Sequence, residues 1–300
     1  MDQDFRMQAI ERLAKTAGII TDKVKEHLNQ QKLNFSPAGI SLSYPGTSVL
    51  WPGESAIHPD GSVNILFFFR GGSSSVMNQS GTNAVVVTAD AGGIGGGPSR
   101  EQYGNAGFVN QVVGSIIAQL QKKLNRKDIK LGKLGLAGWS GGYDPIHGIL
   151  QNPSALVKQP DYVGVFDGMH HGAKDKPNER AMQTWQELAQ KAAKGQTQFV
   201  VTHTAVDPGS YASSTDTADW LIQQNQLQRQ TPQSWQGQGV QPSSVAQQGN
   251  FSVVQLYNQS QPYMVRDPVT GRSKPNIPGT AGYQHIQALK SAPDYLPKWV

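Results

Sequence analysis

The chain contains no cysteine. Disulfides, thiolate metal sites and a cysteine nucleophile are therefore excluded, while the compartment is left open. No stretch approaches eighteen consecutive apolar residues, so no membrane-spanning helix is predicted. Charge is sparse: Asp, Glu, Lys and Arg make up 16% of the 300 residues. The net charge of +5, with a pI near 9.3, reads as dispersed along the chain. Nucleic-acid binding gains no support from it, and mild attraction to anionic surfaces is the most it implies. The N-terminal segment MDQDFRMQAIERLAKTAG is charged throughout and has no apolar h-region, so it does not read as a signal peptide. The localisation is left open between a cytoplasmic protein, an exported one whose signal is absent, and one exported by another route.

What is present suffices for a core. Apolar residues make up 37%, and the length suits one α/β domain. Residues 1–34 place Phe5, Ile10, Leu13, Ile20, Val24 and Leu28 among charges at helical spacing, broken near Gly18. They read as a helical arm packing on a domain over residues 35–300, ahead of a membrane-surface role. Short β-like pieces follow over 35–51. The continuous apolar run VNILFFF (63–69) suits a strand buried on both faces of a mainly parallel sheet. Further strands are predicted over 83–89, 131–137, 162–166, 198–202 and 251–257. Helices are predicted over 102–125, 178–194, 213–226 and 282–290. This alternation predicts a doubly wound, mainly parallel sheet, with functional groups at the carboxyl ends of its strands. Residues 223–248 hold eleven glutamines and read as a flexible insertion.

The chain is organised around residues 131–150, LGKLGLAGWSGGYDPIHGIL. Gly138-Trp139-Ser140-Gly141-Gly142 is a G-x-S-x-G pattern between a predicted strand and a predicted helix. The spacing has a steric reason. A serine on a very tight strand-to-helix turn stands above the sheet in a strained backbone, and small residues two before and two after it let neighbouring chain pass. On these motifs, over about residues 63–289, the chain resembles the α/β-hydrolase superfamily of serine esterases and lipases.

The resemblance implies that Ser140 attacks an acyl group, with a histidine after the last strand as base and a carboxylate to orient it. His285 follows the sixth predicted strand and is the only histidine after His203. Two aspartates compete for the acid. Asp167 ends the strand after the nucleophile helix and is preferred, because an uninterrupted apolar strand fixes its position. Asp207 is the alternative, in a looser loop before Pro208. An oxyanion hole would use the Gly141 N–H and a donor from Arg70-Gly71-Gly72. Many relatives carry His-Gly there, and this chain has Arg-Gly, so Arg70 is read as an oxyanion-loop or substrate-carboxylate residue. His203, its ring bonded to a carbonyl, and His170 would support the site.

Two other classes stand beside this reading. His170, His171 and His203 near Asp167 suggest a zinc-dependent hydrolase, although neighbouring histidines at a strand end point to opposite sides. A hydrolase-like binding protein without activity, holding glycan, is the third. The glycine run 92–97 lacks G-x-G-x-x-G, because Pro98 stands where the third glycine would fall, and reads as a wall of the cleft. The expected function is hydrolysis of an ester, or in second place an amide, in a small-molecule or polymer acyl substrate. No cofactor and no metal are expected.

Overall fold

The computed structural model describes residues 42–71, 81–91, 96–232, 242–256, 264–266, 273–275 and 281–299. The predicted arm over 1–34, residues 92–95 of the glycine run and residues 233–241 of the glutamine-rich segment lie outside the described residues.

Eight strands form one sheet: β1 (Thr47–Leu50), β2 (Ser62–Phe69), β3 (Val85–Ala89), β4 (Lys130–Trp139), β5 (Tyr162–Phe166), β8 (Gln198–His203), β9 (Ser244–Gln248) and β10 (Phe251–Gln255). Four short strands pair outside it: β6 (Gly172–Ala173) with β7 (Lys176–Pro177), and β11 (Met264–Arg266) with β12 (Ser273–Pro275). The order in the large sheet is β1-β3-β2-β4-β5-β8-β10-β9. The six inner strands are parallel, and β1 and β9 are antiparallel edges. Among the described residues the helices are α1 (Gly97–Tyr103), α2 (Ala106–Leu124), α3 (Tyr143–Gln151), α4 (Glu179–Ala193), α5 (Ser214–Gln224) and α6 (Ala281–Tyr295).

The register explains why the apolar run of β2 has no polar alternation. Phe67, Leu136, Val163 and Phe199 are partners across β2, β4, β5 and β8, so they share one face. Phe108 of α2 packs on Phe67, and Trp185 of α4 packs on Phe199. Leu66, Phe68, Ala137 and Val200 face the other way, into a cluster with Ala292, Leu296 and Trp299 of α6 and the segment after it. Helices therefore cover both faces, and each inner strand is buried twice. The fold is α/β, a doubly wound and mainly parallel sheet.

Four sequence readings are corrected. Where one helix is predicted over 102–125, the chain makes α1 and α2. Asn105 separates them because its side chain accepts the Phe108 N–H at 2.8 Å, which starts a new helix. The glutamine-rich segment is not loop throughout. Its last residues form edge strand β9 on β10, with Ala246 buried and Gln247 and Gln248 exposed. An edge strand tolerates glutamine on its open side, so composition alone misread it. The last helix runs to Tyr295, beyond the predicted 290.

The fourth correction concerns charge. Residues 122–133 hold Lys122, Lys123, Arg126, Lys127, Lys130 and Lys133 against Asp128 alone, an excess as large as that of the whole chain. They lie where β4 begins, at the opposite end of that strand from Ser140. There Asp128 pairs with Arg126 (2.5 Å) and Asp60 with Lys130 (3.3 Å). Among the described residues no helix is long and apolar enough to cross a membrane.

Candidate active site

The sheet register brings the site together. Phe69 pairs with Gly138, Trp139 with Phe166, and Phe166 with Thr202. One residue further along, at the carboxyl ends of adjacent strands, stand Arg70, Ser140, Asp167 and His203. Three of them hold left-handed backbones: Arg70 at φ 62°, Ser140 at φ 53° and Asp167 at φ 48°. A non-glycine residue in this region costs roughly 1–2 kcal/mol, and such strain collects where a side chain must be aimed.

The glycines around Ser140 are there for space. A β-carbon on Gly138 would lie 2.5 Å from the Gly142 carbonyl oxygen, and one on Gly142 would collide with the Phe69 carbonyl. The turn thus folds back on itself and against β2. A short 3-10 turn over Ser140–Gly142 leads into α3. Arg100 of α1 tethers that helix by donating to Asp144 (2.9 Å) and Gln151 (2.7 Å).

Asp167 is 1% exposed and fully occupied. Its Oδ1 accepts the Thr204 N–H at 2.9 Å and the Ser214 hydroxyl at 2.5 Å. The Thr204 hydroxyl sits 2.9 Å from Oδ2, and His285 Nδ1 lies 2.6 Å from the same oxygen. Burial pushes this carboxyl up, but hydrogen bonds and charge from His285, Ser214 and Thr204 outweigh it and hold the group below its ordinary value. An ionised Asp167 only accepts, so His285 directs an Nδ1 proton at the carboxylate. The His285 ring lies 4.5 Å, centroid to centroid, from the indole of Trp139, the residue before Ser140. Among the described residues no hydrogen bond joins Ser140 Oγ to His285.

Asp207 stands elsewhere. It is an exposed loop residue that accepts from Lys174 (3.0 Å) and from the Gly209 N–H (2.7 Å), and it does not meet His285. Of the backbone N–H groups expected to serve as oxyanion donors, one in the loop after β2 is already occupied. The Arg70 N–H is taken by the Ala89 carbonyl (3.0 Å), so between the two described residues of that loop the Gly71 N–H is the candidate, while Gly72 lies outside the described residues. The Gly141 N–H lies in the first helical turn, where the backbone supplies no acceptor.

The histidines diverge. His170 Nδ1 is 3.1 Å from the Ala212 carbonyl. His171 turns to the ring of His147 (4.4 Å) and the ring of Tyr143 (4.8 Å). His203 is the last residue of β8 and is fully buried. Its Nδ1 donates to Thr215 Oγ1 (3.0 Å), which donates to the Thr204 carbonyl (2.7 Å), while Nε2 accepts from Arg229 (3.2 Å). The ring therefore braces the segment that holds Asp167. Among the described residues no three His, Asp or Glu side chains converge to hold a metal.

Sequence reasoning missed Thr204 and Ser214. Ser214 is placed by a capping box at the start of α5: Ser213 Oγ accepts the Asp216 N–H (3.0 Å), and Asp216 accepts the Ser213 N–H (2.7 Å). That S-x-x-D pattern was readable as a helix start. Its distance of 47 residues from Asp167 hid the contact.

The buried imidazoles predict an acid-labile fold. Burial holds His171 and His203 at about 3, below the 6.5 of a free imidazole. Below pH 6.5 the unfolded chain takes up protons that these rings refuse, so stability falls as pH drops from 6.5 towards 3. The slope contributed by each ring is up to roughly 1.4 kcal/mol per pH unit. Denaturant titrations at pH 7.5, 6 and 5 should show this loss, and an equal midpoint at all three would contradict it.

No family model matches the chain, and no curated protein matches it. Among solved structures it is similar to a thermophilic esterase from the Planctomycetes species Thermogutta terrifontis, with propionate bound. That alignment has 13% identity over 83% of this chain and 88% of the other, with a TM-score of 0.36. It is also similar to prolyl oligopeptidase B from Galerina marginata, at 11% identity over 84% of this chain and 35% of the other, with a TM-score of 0.30.

Proposed function

We propose that the protein is a serine hydrolase that cleaves an ester bond through an acyl-enzyme, with its catalytic domain over residues 35–300. The observation that carries this reading is His285 Nδ1 at 2.6 Å from the buried Asp167 carboxylate, with the imidazole resting on the residue next to Ser140. Ser140 Oγ attacks the acyl carbon while its proton passes to His285 Nε2. Asp167 stabilises the imidazolium that forms. The Gly141 and Gly71 N–H groups meet the developing oxyanion. His285 returns the proton to the leaving alcohol, and a water repeats the sequence to release the acid.

The test is hydrolysis of an activated aryl ester with and without a strong chelator. A serine mechanism predicts unchanged turnover after chelation and no stoichiometric zinc in the purified protein. One zinc per chain, with activity lost on its removal, would replace this reading by a zinc hydrolase. No turnover of any acyl ester, with Ser140 inert, would favour a binding protein.

A further inference from the structure

Trp139 is the one residue of the serine turn that is neither a glycine nor used in the mechanism above. Three contacts converge on its side chain. The indole N–H donates to the backbone carbonyl of His285 at 2.8 Å. Its ring lies 4.5 Å from the His285 ring at an interplanar angle of 32°. Its six-membered edge is pressed against Gly71, where a β-carbon would come within 2.7 Å of the Trp139 Cε3 atom. Trp139 also packs against both apolar clusters on this side of the sheet. One contains Ala292, Leu296 and Trp299, and the other contains Val254, Leu256 and Ala288. Through its backbone it is bonded to Ser140.

Resting on the serine-hydrolase reading, we infer that Trp139 is a positioning residue that holds His285 in register with Ser140 and sets the Gly71 loop. His285 sits near the start of α6, 118 residues from Asp167 in sequence, and the site needs its ring placed to a fraction of an ångström. Asp167 fixes one ring nitrogen but leaves the ring free to swing about that bond. The indole N–H fixes the His285 backbone, and the indole face blocks the swing. Two clamps on one residue, both carried by the neighbour of the nucleophile, make the Ser140–His285 distance a property of one rigid unit. The edge packed on Gly71 extends that unit to the proposed oxyanion donor. A phenylalanine keeps a ring face and loses the N–H, and a leucine loses both.

The experiment is a double-mutant cycle on the full chain. In the wild-type background, Trp139→Phe should lower kcat on an activated ester about tenfold, and Trp139→Leu about a hundredfold, with KM changed less than about threefold. The rate of fluorophosphonate labelling at Ser140 should fall in parallel. In a His285→Ala background the same Trp139→Phe change, which keeps a ring against Gly71, should alter the residual rate by less than about twofold, because the deleted N–H acts only through His285. An equal loss in both backgrounds would show a merely structural role and overturn the inference. So would a Trp139→Phe enzyme with wild-type kcat while Ser140 is still labelled, and the serine-hydrolase reading would then survive alone. A wild-type chain whose Ser140 takes no label overturns both.

Discussion

Ser140→Ala should remove activity on an activated ester by on the order of 10³-fold or more. The protein should remain folded, because only the Oγ atom is deleted and the left-handed turn at φ 53° stays as strained for alanine as for serine. Ser140→Gly sharpens the point. Glycine adopts positive φ without penalty, so it relieves about 1 kcal/mol of strain, offset in part by its looser unfolded chain. The glycine variant should be as inactive as the alanine variant and no less stable than wild type. A serine that served only as a turn residue would show the stability pattern without the loss of turnover. Full turnover by either variant would end the nucleophile assignment.

Asp167→Asn should cost up to roughly 10⁴-fold in kcat, the scale set by putting a catalytic imidazole in the wrong tautomer. The direction follows from the donors around the carboxylate. The Thr204 N–H points at Oδ1 and can only donate, so an asparagine must place its carbonyl there. Its NH2 then faces His285 Nδ1, which becomes an acceptor and moves the ring proton to Nε2. That nitrogen can no longer take the proton of Ser140. Asp207→Asn should change kcat by less than about twofold, because it breaks only an exposed pair with Lys174. Parallel kinetics on the two variants check the assignment, and a larger effect at Asp207 would reverse it.

The parts of the fold legible in the sequence are those set by local pattern. The run VNILFFF reads as a doubly buried strand because six of its seven residues are apolar, and β2 is buried along that run, with its one polar residue, Asn64, accepting the Lys133 N–H at 2.8 Å. G-x-S-x-G marks a tight turn because the close approach of Gly138 and Gly142 admits no β-carbon. The α/β-hydrolase resemblance points to Asp167 and His285 by their places after strands, and the fold brings those two side chains to 2.6 Å. The rest depends on partners far away in the chain. Nothing near Asp207 signals that Lys174 claims it, and nothing near Asp167 signals Thr204 or Ser214, 37 and 47 residues on. The edge strand β9 was hidden by glutamines, whose side chains are content in water whether or not the backbone is paired. The role of Trp139 was hidden because its partners, Gly71 and His285, lie on either side of it at long range.

Labelling with a fluorophosphonate probe, followed by mapping of the modified peptide, tests the central claim most directly. A serine hydrolase activated by His285 and Asp167 should take one label per chain, on Ser140. Labelling should be lost in Ser140→Ala and slowed strongly in His285→Ala and Asp167→Asn. A folded protein that takes no label, or takes it at another residue with Ser140 untouched, would contradict the account.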